Sequence, residues 1–483
     1  MSDGAVIRHD QLYVGGRLVD PAGDGRLSVV APATEEVIGD VPEVTTADVD
    51  VAVGAARTAF DSGPWPSTPA SERFAAVSRL ADAIERRAAE LVPIVVNEMG
   101  APISGSGSGA VYGVPYLLRA MVEMAKAFPY VEERKGAYGH TLVVREPVGV
   151  VGAIVPWNGP LFVSMLKLAP ALLAGCTGVV KLAPETPLEG YILGECLNEA
   201  GIPEGVVSIL SADRDVSEAL VRDPRVDKIT FTGSTAAGRR IASICGERLA
   251  RYTLELGGKS AGIVLDDADL DTVYGAVRGS ALGTNGQQCY GLTRVLAPRS
   301  RYAEVVDHLT EAVGSLVVGD PLDPATDIGP LISARQRDRV LGYVDSARKQ
   351  GARVTVGGGS VPERERGWFV QPTVLAEVDN AMRVAQEEIF GPVLCVIPYG
   401  DVDEAVAIAN DSDYGLSGAV FTPDRDRGTE ICRRIRSGLL TVNGFHVNFE
   451  APFGGFKASG IGREYGPEGL AGCTELKSIN LLD

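Results

Sequence analysis

GVVGAIVPW at residues 149–157 opens the stretch of sequence that decides the fold. Short Val/Ile-rich runs alternate there with longer amphipathic segments, which continue as LFVSMLKLAPALLAG at 161–175, TGVVKLA at 177–183, LEGYILGECLNEAG at 188–201 and GVVSILS at 205–211. Buried parallel strands read as continuous apolar runs, and the intervening helices end in Gly175 and Gly201. The pattern predicts a doubly wound α/β sheet.

The flanking sequence extends this reading in both directions. The first 125 residues look more helical, notably at 47–60 and 70–100, and we expect these helices to flank the sheet. A second alternation between about Asp271 and Lys457, in which 402–422 reads as helix, turn and strand, predicts a second α/β domain. The segments TLVVREPVG (141–149) and ELKSINLL (475–482) have strand character and lie at the edges of these two α/β regions. Each could be an ordinary edge strand or part of an arm that pairs with another subunit.

Composition excludes several classes of function. The chain has 483 residues, enough for two or three domains, with 45 basic and 63 acidic residues and a formal charge of −18, which disfavours nucleic acid as a partner. No apolar run approaches the roughly 18 residues that span a bilayer, and no leader pattern opens the chain, so we expect a soluble cytoplasmic protein without membrane association. Seven scattered cysteines and four histidines predict neither disulfides nor a metal site.

Three residues are candidates for catalysis. Cys289 lies in the Gly-rich, polar loop GTNGQQCYGLTR, where a thiolate would be a strong nucleophile, although a structural cysteine is the alternative. Glu255, in LELGGKSAGIVL, has apolar neighbours that would raise its pKa and suit a general base, whereas an ion pair with Lys259 is the alternative. Asn158 in VPWNGP follows an apolar strand and could donate to an oxyanion, although Asn-Gly-Pro also favours a plain turn.

Other segments offer binding groups. VDKITFTGSTAAG places Gly233, Ser234 and Gly238 where a strand gives way to a helix, which suits a phosphate. Lys181 ends the strand TGVVKLA, and QEEIFGPV contains Glu388 and Phe390. A surface lysine, a helix-terminal glutamate and a core phenylalanine are the structural alternatives.

Six motifs occur together in one order: VPWN, FTGSTAAG, LELGGKS, GQQC, EEIFGPV and PFGGFKASGIGRE. Together they resemble the aldehyde dehydrogenase superfamily, in its hydrolytic, non-phosphorylating, NAD(P)-dependent form, over essentially the whole chain. Glu255 precedes Cys289 by 34 residues, which matches the family's spacing of base and nucleophile.

The resemblance implies a role for each candidate. Cys289 would be the nucleophile, Glu255 the general base, and Asn158 with the backbone N–H of Cys289 the oxyanion hole. Thiolate attack would produce a thiohemiacetal, hydride would leave to the nicotinamide, and water activated by Glu255 would hydrolyse the thioester to a carboxylic acid. A CoA-acylating dehydrogenase is the enzymatic alternative, and a non-catalytic protein that keeps the fold is the other.

The implied cofactor is NAD, with NADP possible. Lys181 would meet the adenosine ribose, Ser234 the pyrophosphate and Glu388 the nicotinamide ribose. The full cofactor-binding set carried over is Val155, Pro156, Trp157, Lys181, Gly233, Ser234, Gly238, Leu256, Glu388 and Phe390. Many relatives have a Glu three residues after the adenosine lysine, where this chain has Pro184 followed by Glu185. The preference for NAD over NADP is therefore open.

The resemblance also implies an architecture. Residues 1–126 and 148–257 would form a Rossmann-type NAD(P)-binding domain, 258–457 an α/β catalytic domain, and 127–147 with 458–483 a β oligomerisation arm and tail. Homodimers or homotetramers would follow, with the tail strand extending a neighbour's sheet.

The resemblance indicates only the general class of the substrate. By alignment with the motifs, the substrate pocket should contain Phe162, Val163, Leu166, Gln288, Tyr290, Phe445 and Phe449. Most of these side chains are apolar and no Arg/Lys pair stands among them, so we expect a neutral aliphatic, terpenoid or aromatic aldehyde.

Overall fold

The computed structural model of the protein describes residues 6–482 and alternates strands and helices along the chain. The strands are β1 (Ile7–Arg8), β2 (Leu12–Val14), β3 (Arg17–Val19), β4 (Arg26–Val30), β5 (Val37–Pro42), β6 (Val131–Gly136), β7 (Gly139–Pro147), β8 (Val150–Ile154), β9 (Thr177–Leu182), β10 (Val207–Ser211), β11 (Lys228–Thr232), β12 (Arg251–Glu255), β13 (Ala261–Val264), β14 (Arg294–Pro298), β15 (Arg353–Val356), β16 (Thr373–Ala376), β17 (Val393–Tyr399), β18 (Ser417–Phe421), β19 (Leu439–Val442), β20 (Gly460–Ile461) and β21 (Thr474–Leu481). The α-helices are α1 (Thr46–Ser62), α2 (Ala70–Arg86), α3 (Ala88–Met99), α4 (Ser106–Ala127), α5 (Pro160–Ala174), α6 (Glu189–Glu199), α7 (Arg214–Arg222), α8 (Thr235–Arg248), α9 (Leu270–Val277), α10 (Tyr302–Gly314), α11 (Ala334–Lys349), α12 (Arg383–Gln386), α13 (Val402–Asn410), α14 (Arg425–Arg433) and α15 (Gly466–Ala471).

The first large sheet has the strand order β20-β12-β11-β8-β9-β10-β2-β3. Its strands β8 to β12 run parallel, and β8 lies between β9 and β11, so the winding reverses direction at β8. The predicted doubly wound sheet is confirmed. Helices α5 and α6 end where expected, because Gly175 and Gly201 adopt left-handed φ angles of 98° and 75° that stop a helix.

The second sheet has the order β15-β16-β17-β14-β13-β18-β19 and is parallel apart from β15. Its strands β13, β14 and β18 are fully buried, as expected of apolar runs covered by helices on both faces. The segment 402–422 forms α13, a turn and β18, as its pattern predicts.

The N-terminal region differs in part from its prediction. The stretches 47–60 and 70–100 are helical, within α1 and within α2 and α3, but residues 7–42 contain strands β1 to β5. Strand β2 joins the edge of the first sheet antiparallel to β10, with Tyr13 opposite Ile209. These strands have two to six residues, too few to show a period, and long-range pairing stabilises them.

A separate three-stranded antiparallel sheet contains β6, β7 and β21 in the order β21-β7-β6. The two segments expected to be edge strands or arms pair with each other, from Thr474 opposite Pro147 to Leu481 opposite His140. Leu476, Ile479 and Leu481 on β21 are exposed. The sheet therefore carries apolar side chains on its surface.

The carboxyl ends of the parallel strands in the first sheet face a common edge. The chain continues from β8 into 155–158, from β11 into 233–234, and from β12 into 256–258. Ligands of open α/β sheets collect at this edge, beside the point where the winding reverses. Between residues 6 and 482, no helix is long and apolar enough to cross a bilayer.

Candidate active site

A cavity of about 710 Å³ lies along this carboxyl edge. Cys289 and Asn158 line it, and so do all the predicted cofactor residues except Gly238. A volume of this size is typical of pockets for a cofactor-sized molecule. The cavity extends from Cys289 to the ends of β9 and β10, where Lys181 and Asp213 lie.

Cys289 follows an irregular segment of chain after α9. A π-helical turn at Arg278–Leu282 leads into a tight turn at Gly283–Gly286, in which Thr284 and Asn285 have φ angles of 49° and 57°. Side chains beyond Cβ disfavour this left-handed conformation, so surrounding contacts must hold it.

Asn285 provides those contacts from a fully buried position. Its amide nitrogen donates to the carbonyl oxygens of Gly100 (2.8 Å) and Pro330 (2.7 Å), and its amide oxygen accepts from the N–H of Gly329 (2.6 Å). The loop before Cys289 is thereby attached to two distant segments. Our reading of the sequence missed Asn285, although an asparagine inside an otherwise small-residue turn was a signal.

The environment of Cys289 favours the neutral thiol. Burial, and then the carboxyl groups of Glu388 and Glu255, raise the pKa of Cys289 well above the usual value for a thiol. The opposite wall is close, because a Cβ on Gly258 would lie 2.3 Å from the Cys289 carbonyl oxygen. Forming the thiolate therefore requires a group that removes its proton.

Asn158 lies directly beside the cysteine loop. Its side-chain nitrogen donates to the carbonyl oxygen of Gln287 at 2.8 Å, two residues before Cys289. A primary amide has two N–H donors, so the second remains for a ligand. The structure thus brings Asn158 to the nucleophile loop, at the end of β8 where the sequence predicts it.

Glu255 ends β12 and is 2% exposed. Among the described residues neither carboxyl oxygen has a hydrogen-bond partner, and the alternative ion pair with Lys259 does not form in this structure. Burial and the neighbouring Glu464 raise the pKa of Glu255, partly offset by Lys167 and Arg463. A carboxyl group without partners beside a thiol is suited to exchanging protons.

A buried ion pair that was not predicted from the sequence lies next to Glu255. Lys167 Nζ is 2.5 Å from Glu464 Oε1 and 3.3 Å from the Thr230 hydroxyl oxygen. Lys167 is the single charged residue of α5, whose other residues are almost all apolar. An isolated charge in an apolar helix was the sequence signal that could have indicated Lys167. Glu464 is the last residue of the motif PFGGFKASGIGRE.

The cofactor candidates gather around the cavity with one exception. Trp157 and Phe390 contact edge to face at 5.4 Å, and Glu388 Oε1 accepts from the Gly258 N–H at 3.0 Å. Gly238 instead lies inside α8, where a Cβ would be 2.5 Å from the Leu256 side chain. Its position allows close packing of the helix on Leu256 and keeps it outside the cavity walls.

The start of α8 faces the cavity at Gly233 and Ser234. The Ser234 hydroxyl accepts from the Ala237 N–H at 3.3 Å and so caps the helix. A Cβ on Gly233 would lie 2.4 Å from the Phe231 ring, so packing alone demands glycine there. The cavity walls also include arginines that no motif indicated, namely Arg214, Arg240, Arg335 and Arg339.

The predicted substrate residues form part of an aromatic network outside the walls of this cavity. Phe449 lies 5.7 Å from Phe162 and stacks on Tyr465 at 5.2 Å, and Tyr290 stacks on Phe445 at 5.1 Å. Phe453 contacts both Tyr290 and Tyr465 and joins the two groups of rings.

The other three candidates differ in their surroundings. Leu166 is 5% exposed and belongs to the core, whereas Val163 is half-buried. Gln288 donates from its side-chain nitrogen to the Thr284 hydroxyl at 2.9 Å. Tyr116, Phe453 and Tyr465 were not predicted from the sequence, because their contacts with the predicted substrate residues depend on the tertiary structure.

The fold and the cavity define an α/β protein with two large sheets and a cysteine beside a cofactor-sized site. Residues 18–479 match the model of the aldehyde dehydrogenase family, so the chain belongs to that family. It is an oxidoreductase that acts on aldehydes, and the predicted family, fold class and enzyme class are confirmed.

Individual relatives are similar over nearly their whole length. Geranial dehydrogenase from Castellaniella defragrans is 47% identical over 99% of this chain and 100% of its own. The 3-succinoylsemialdehyde-pyridine dehydrogenase of Pseudomonas sp. is 41% identical over 97% of this chain and 98% of its own. The crystal structure of a Mycobacterium tuberculosis aldehyde dehydrogenase complexed with NAD+ is 46% identical, with a TM-score of 0.97 and 99% coverage of both chains. The complex supports the predicted cofactor, NAD.

Proposed function

We propose that this protein oxidises an aldehyde to a carboxylic acid with NAD+, through a thioester on Cys289. The observation that carries the proposal is that Cys289 and Asn158 line one end of the cavity together, while the buried carboxyl group of Glu255 lies close enough to Cys289 to raise the pKa of its thiol. Family membership, and names such as geranial dehydrogenase among the relatives, agree with it. A CoA-acylating enzyme is not favoured, because a buried carboxyl group is available to activate water.

The first step forms a bond between Cys289 Sγ and the aldehyde carbon. The raised pKa of the thiol means that its proton leaves as the bond forms, and Glu255 is the neighbouring group that can take it. The carbonyl oxygen becomes an oxyanion, which the free N–H of Asn158 and the backbone N–H of Cys289 stabilise. Each such donor contributes about 2.7–4 kcal/mol to barrier lowering in comparable enzymes.

The residues around the cavity fit a dinucleotide. Glu388 Oε2 would lie only 2.6 Å from a Cβ on Gly257, so this carboxylate reaches the cavity wall beside Cys289 and can accept from a ribose hydroxyl. Ser234 and the start of α8 suit the pyrophosphate, and Lys181 the adenosine ribose. NAD+ held there supplies the acceptor for the two electrons and the hydrogen that leave the aldehyde carbon.

The second step releases the acid. Glu255 first releases to solvent the proton that it took from the Cys289 thiol. It then accepts a proton from water as the water oxygen attacks the thioester carbon, and it passes that proton to the sulfur as the C–S bond breaks, which regenerates the Cys289 thiol. Glu255 must be ionised to act in this way. Burial raises the pKa of Glu255. We therefore expect hydrolysis of the thioester to accelerate as the pH rises through the raised pKa of this carboxyl group.

The substrate class follows from the aromatic network. Phe162, Phe449, Tyr290 and Phe445 offer the apolar surface that a neutral aliphatic, terpenoid or aromatic aldehyde requires, and Tyr290 directly follows Cys289 in the chain. Two relatives support this class: geranial dehydrogenase, and a Pseudomonas syringae enzyme whose structure contains octanal.

We further propose the predicted domain division, with 1–126 and 148–257 binding the cofactor, 258–457 catalytic, and 127–147 with 458–483 as arm and tail. One refinement is that β20, within the tail, pairs with β12 of the first sheet. The exposed apolar residues of β21 support assembly into a homodimer or homotetramer. The seven free cysteines support a location in the reducing cytoplasm.

The decisive experiment compares the wild-type enzyme with Cys289→Ala on a panel of neutral and carboxylate-bearing aldehydes, with and without CoA. We expect NADH and free acid without CoA, a preference for neutral aldehydes, and no activity in the variant. Acyl-CoA as the product would instead establish the acylating reaction. Full activity of Cys289→Ala would refute the proposed mechanism.

A further inference from the structure

The far end of the cavity carries two carboxylates around one lysine. Lys181 lies near the end of β9 opposite Leu210 of β10, Glu185 follows in the turn after β9, and Asp213 follows β10. All three residues Lys181, Glu185 and Asp213 line the cavity. Burial lowers the pKa of Lys181 to about 8, while the charges of Glu185 and Asp213 act against this lowering, as expected of two carboxylates on the same part of the cavity wall.

Structural constraints hold both carboxylates near the lysine. Asp213 is the N-cap of α7 and accepts hydrogen bonds from the N–H groups of Asp215 and Val216, each at 3.2 Å. Glu185 follows Pro184, whose ring restricts the backbone, and both residues line the cavity. Neither carboxylate has an ion-pair partner within 4.0 Å among the described residues, so both are available to a ligand.

The positive and negative side chains that line this end of the cavity balance each other. Arg240 donates two hydrogen bonds to Glu218, at 3.1 and 2.8 Å, and that pair is close to neutral. Arg214, next to Asp213, is exposed. The remaining charged side chains at this end are the positive Lys181 and Arg214 and the negative Glu185 and Asp213. Their four charges sum to zero. No excess positive charge is present for an additional phosphate.

We propose that Glu185 and Asp213 select NAD+ over NADP+. The inference rests on the proposed function, since Cys289 requires the nicotinamide at its own end and so directs the adenosine ribose towards Lys181. There the two carboxylates accept hydrogen bonds from ribose hydroxyls. A 2′-phosphate adds a charge of about −2 at neutral pH and is repelled. Pro184 has no side-chain acceptor, and the neighbouring Glu185 and Asp213 take over discrimination between the two nucleotides.

The test measures kcat/KM for NAD+ and NADP+ with the wild type, Glu185→Gln, Asp213→Asn and the double variant. Asn is as good an N-cap as Asp, so Asp213→Asn removes the charge and keeps α7 capped. We expect each single variant to raise the NADP+/NAD+ ratio of kcat/KM about tenfold, equal to about 1.4 kcal/mol, and the double variant about a hundredfold. The wild-type preference should shrink at high salt, which screens the repulsion.

The matched control is Asp215→Asn, which removes the same charge from the exposed first turn of α7 outside the cavity walls. Its ratio should stay within about twofold of the wild type. Fluorescence titration with NADH and NADPH alone measures selectivity without any aldehyde, so failure of the oxidation reaction and failure of this inference are distinguishable. An unchanged ratio in the double variant overturns the inference. So does a wild type that binds NADPH as tightly as NADH and loses NADPH binding in Arg214→Gln.

Discussion

Replacement of Glu255 by Gln compares the part that its carboxylate plays in forming the thioester with the part that it plays in hydrolysing the thioester. The side chain ends β12, is 2% exposed and has no hydrogen-bond partner for either oxygen among residues 6–482. Gln has nearly the same volume, so the substitution leaves no cavity and the fold should persist. What it removes is a buried carboxyl group beside Cys289 that can accept a proton from water.

The structure sets the magnitude of the effect. The two other carboxyl groups nearby already have hydrogen-bond partners, because Glu464 Oε1 accepts from Lys167 and Thr230 and Glu388 Oε1 accepts from the Gly258 N–H. Both are therefore poorly placed to replace Glu255. General-base catalysis contributes about 10²–10⁴-fold, and we expect a loss near 10³-fold, equal to about 4 kcal/mol of activation free energy. Formation of the thioester should slow less than its hydrolysis.

Stopped-flow fluorescence of NADH distinguishes the two steps. Glu255→Gln should release about one NADH per active site in a burst and then turn over about 10³-fold more slowly than the wild type. The wild-type steady-state rate should rise with pH as Glu255 ionises, because the carboxylate is the active form and burial raises its pKa. The variant should lose this rise. Steady turnover within threefold of the wild type would refute the assignment of the base.

Three further predictions address the oxyanion, the pH dependence of stability and the substrate pocket. Asn158→Ala should lower kcat/KM about 10²–10³-fold with unchanged NADH affinity, and equal kinetics would contradict its role. Burial raises the pKa of Glu189 to about 7, beside Glu98 whose pKa is also raised, so stability should fall as the pH rises from about 4.5 to 7. Denaturant titrations at pH 5 and 8 should therefore show a smaller loss in Glu189→Gln than in the wild type, by about 1.4 kcal/mol or more, whereas parallel losses would argue against this account. Phe449→Ala removes ring contacts to Tyr116, Phe162 and Tyr465, so the KM for octanal should rise about tenfold while that for acetaldehyde changes little, and equal effects on both would exclude Phe449 from the pocket.

Long-range pairing explains where the sequence analysis fell short. Strand β2 forms by joining β10, with Tyr13 opposite Ile209, and three residues are too few to show a period. The strands β7 and β21 pair across more than 300 residues, which no local pattern predicts. In the site, Lys167 in α5 and Glu464 at the end of the last motif are far apart in the chain, and only folding pairs them with each other beside Glu255.

The sequence by itself determined the doubly wound sheet, the helix ends at Gly175 and Gly201, and the ordered motifs that identify the family. These features depend on local periodicity, on backbone preference and on the identity of single residues. Tertiary structure alone decided that Asn158 contacts the loop of Cys289, that Gly238 packs on Leu256 outside the cavity, and that Glu185 and Lys181 line the same cavity. The reason is physical: a charge, a hydrogen bond or a close packing contact acts through distances in space, and residues far apart in the chain acquire those distances only when it folds.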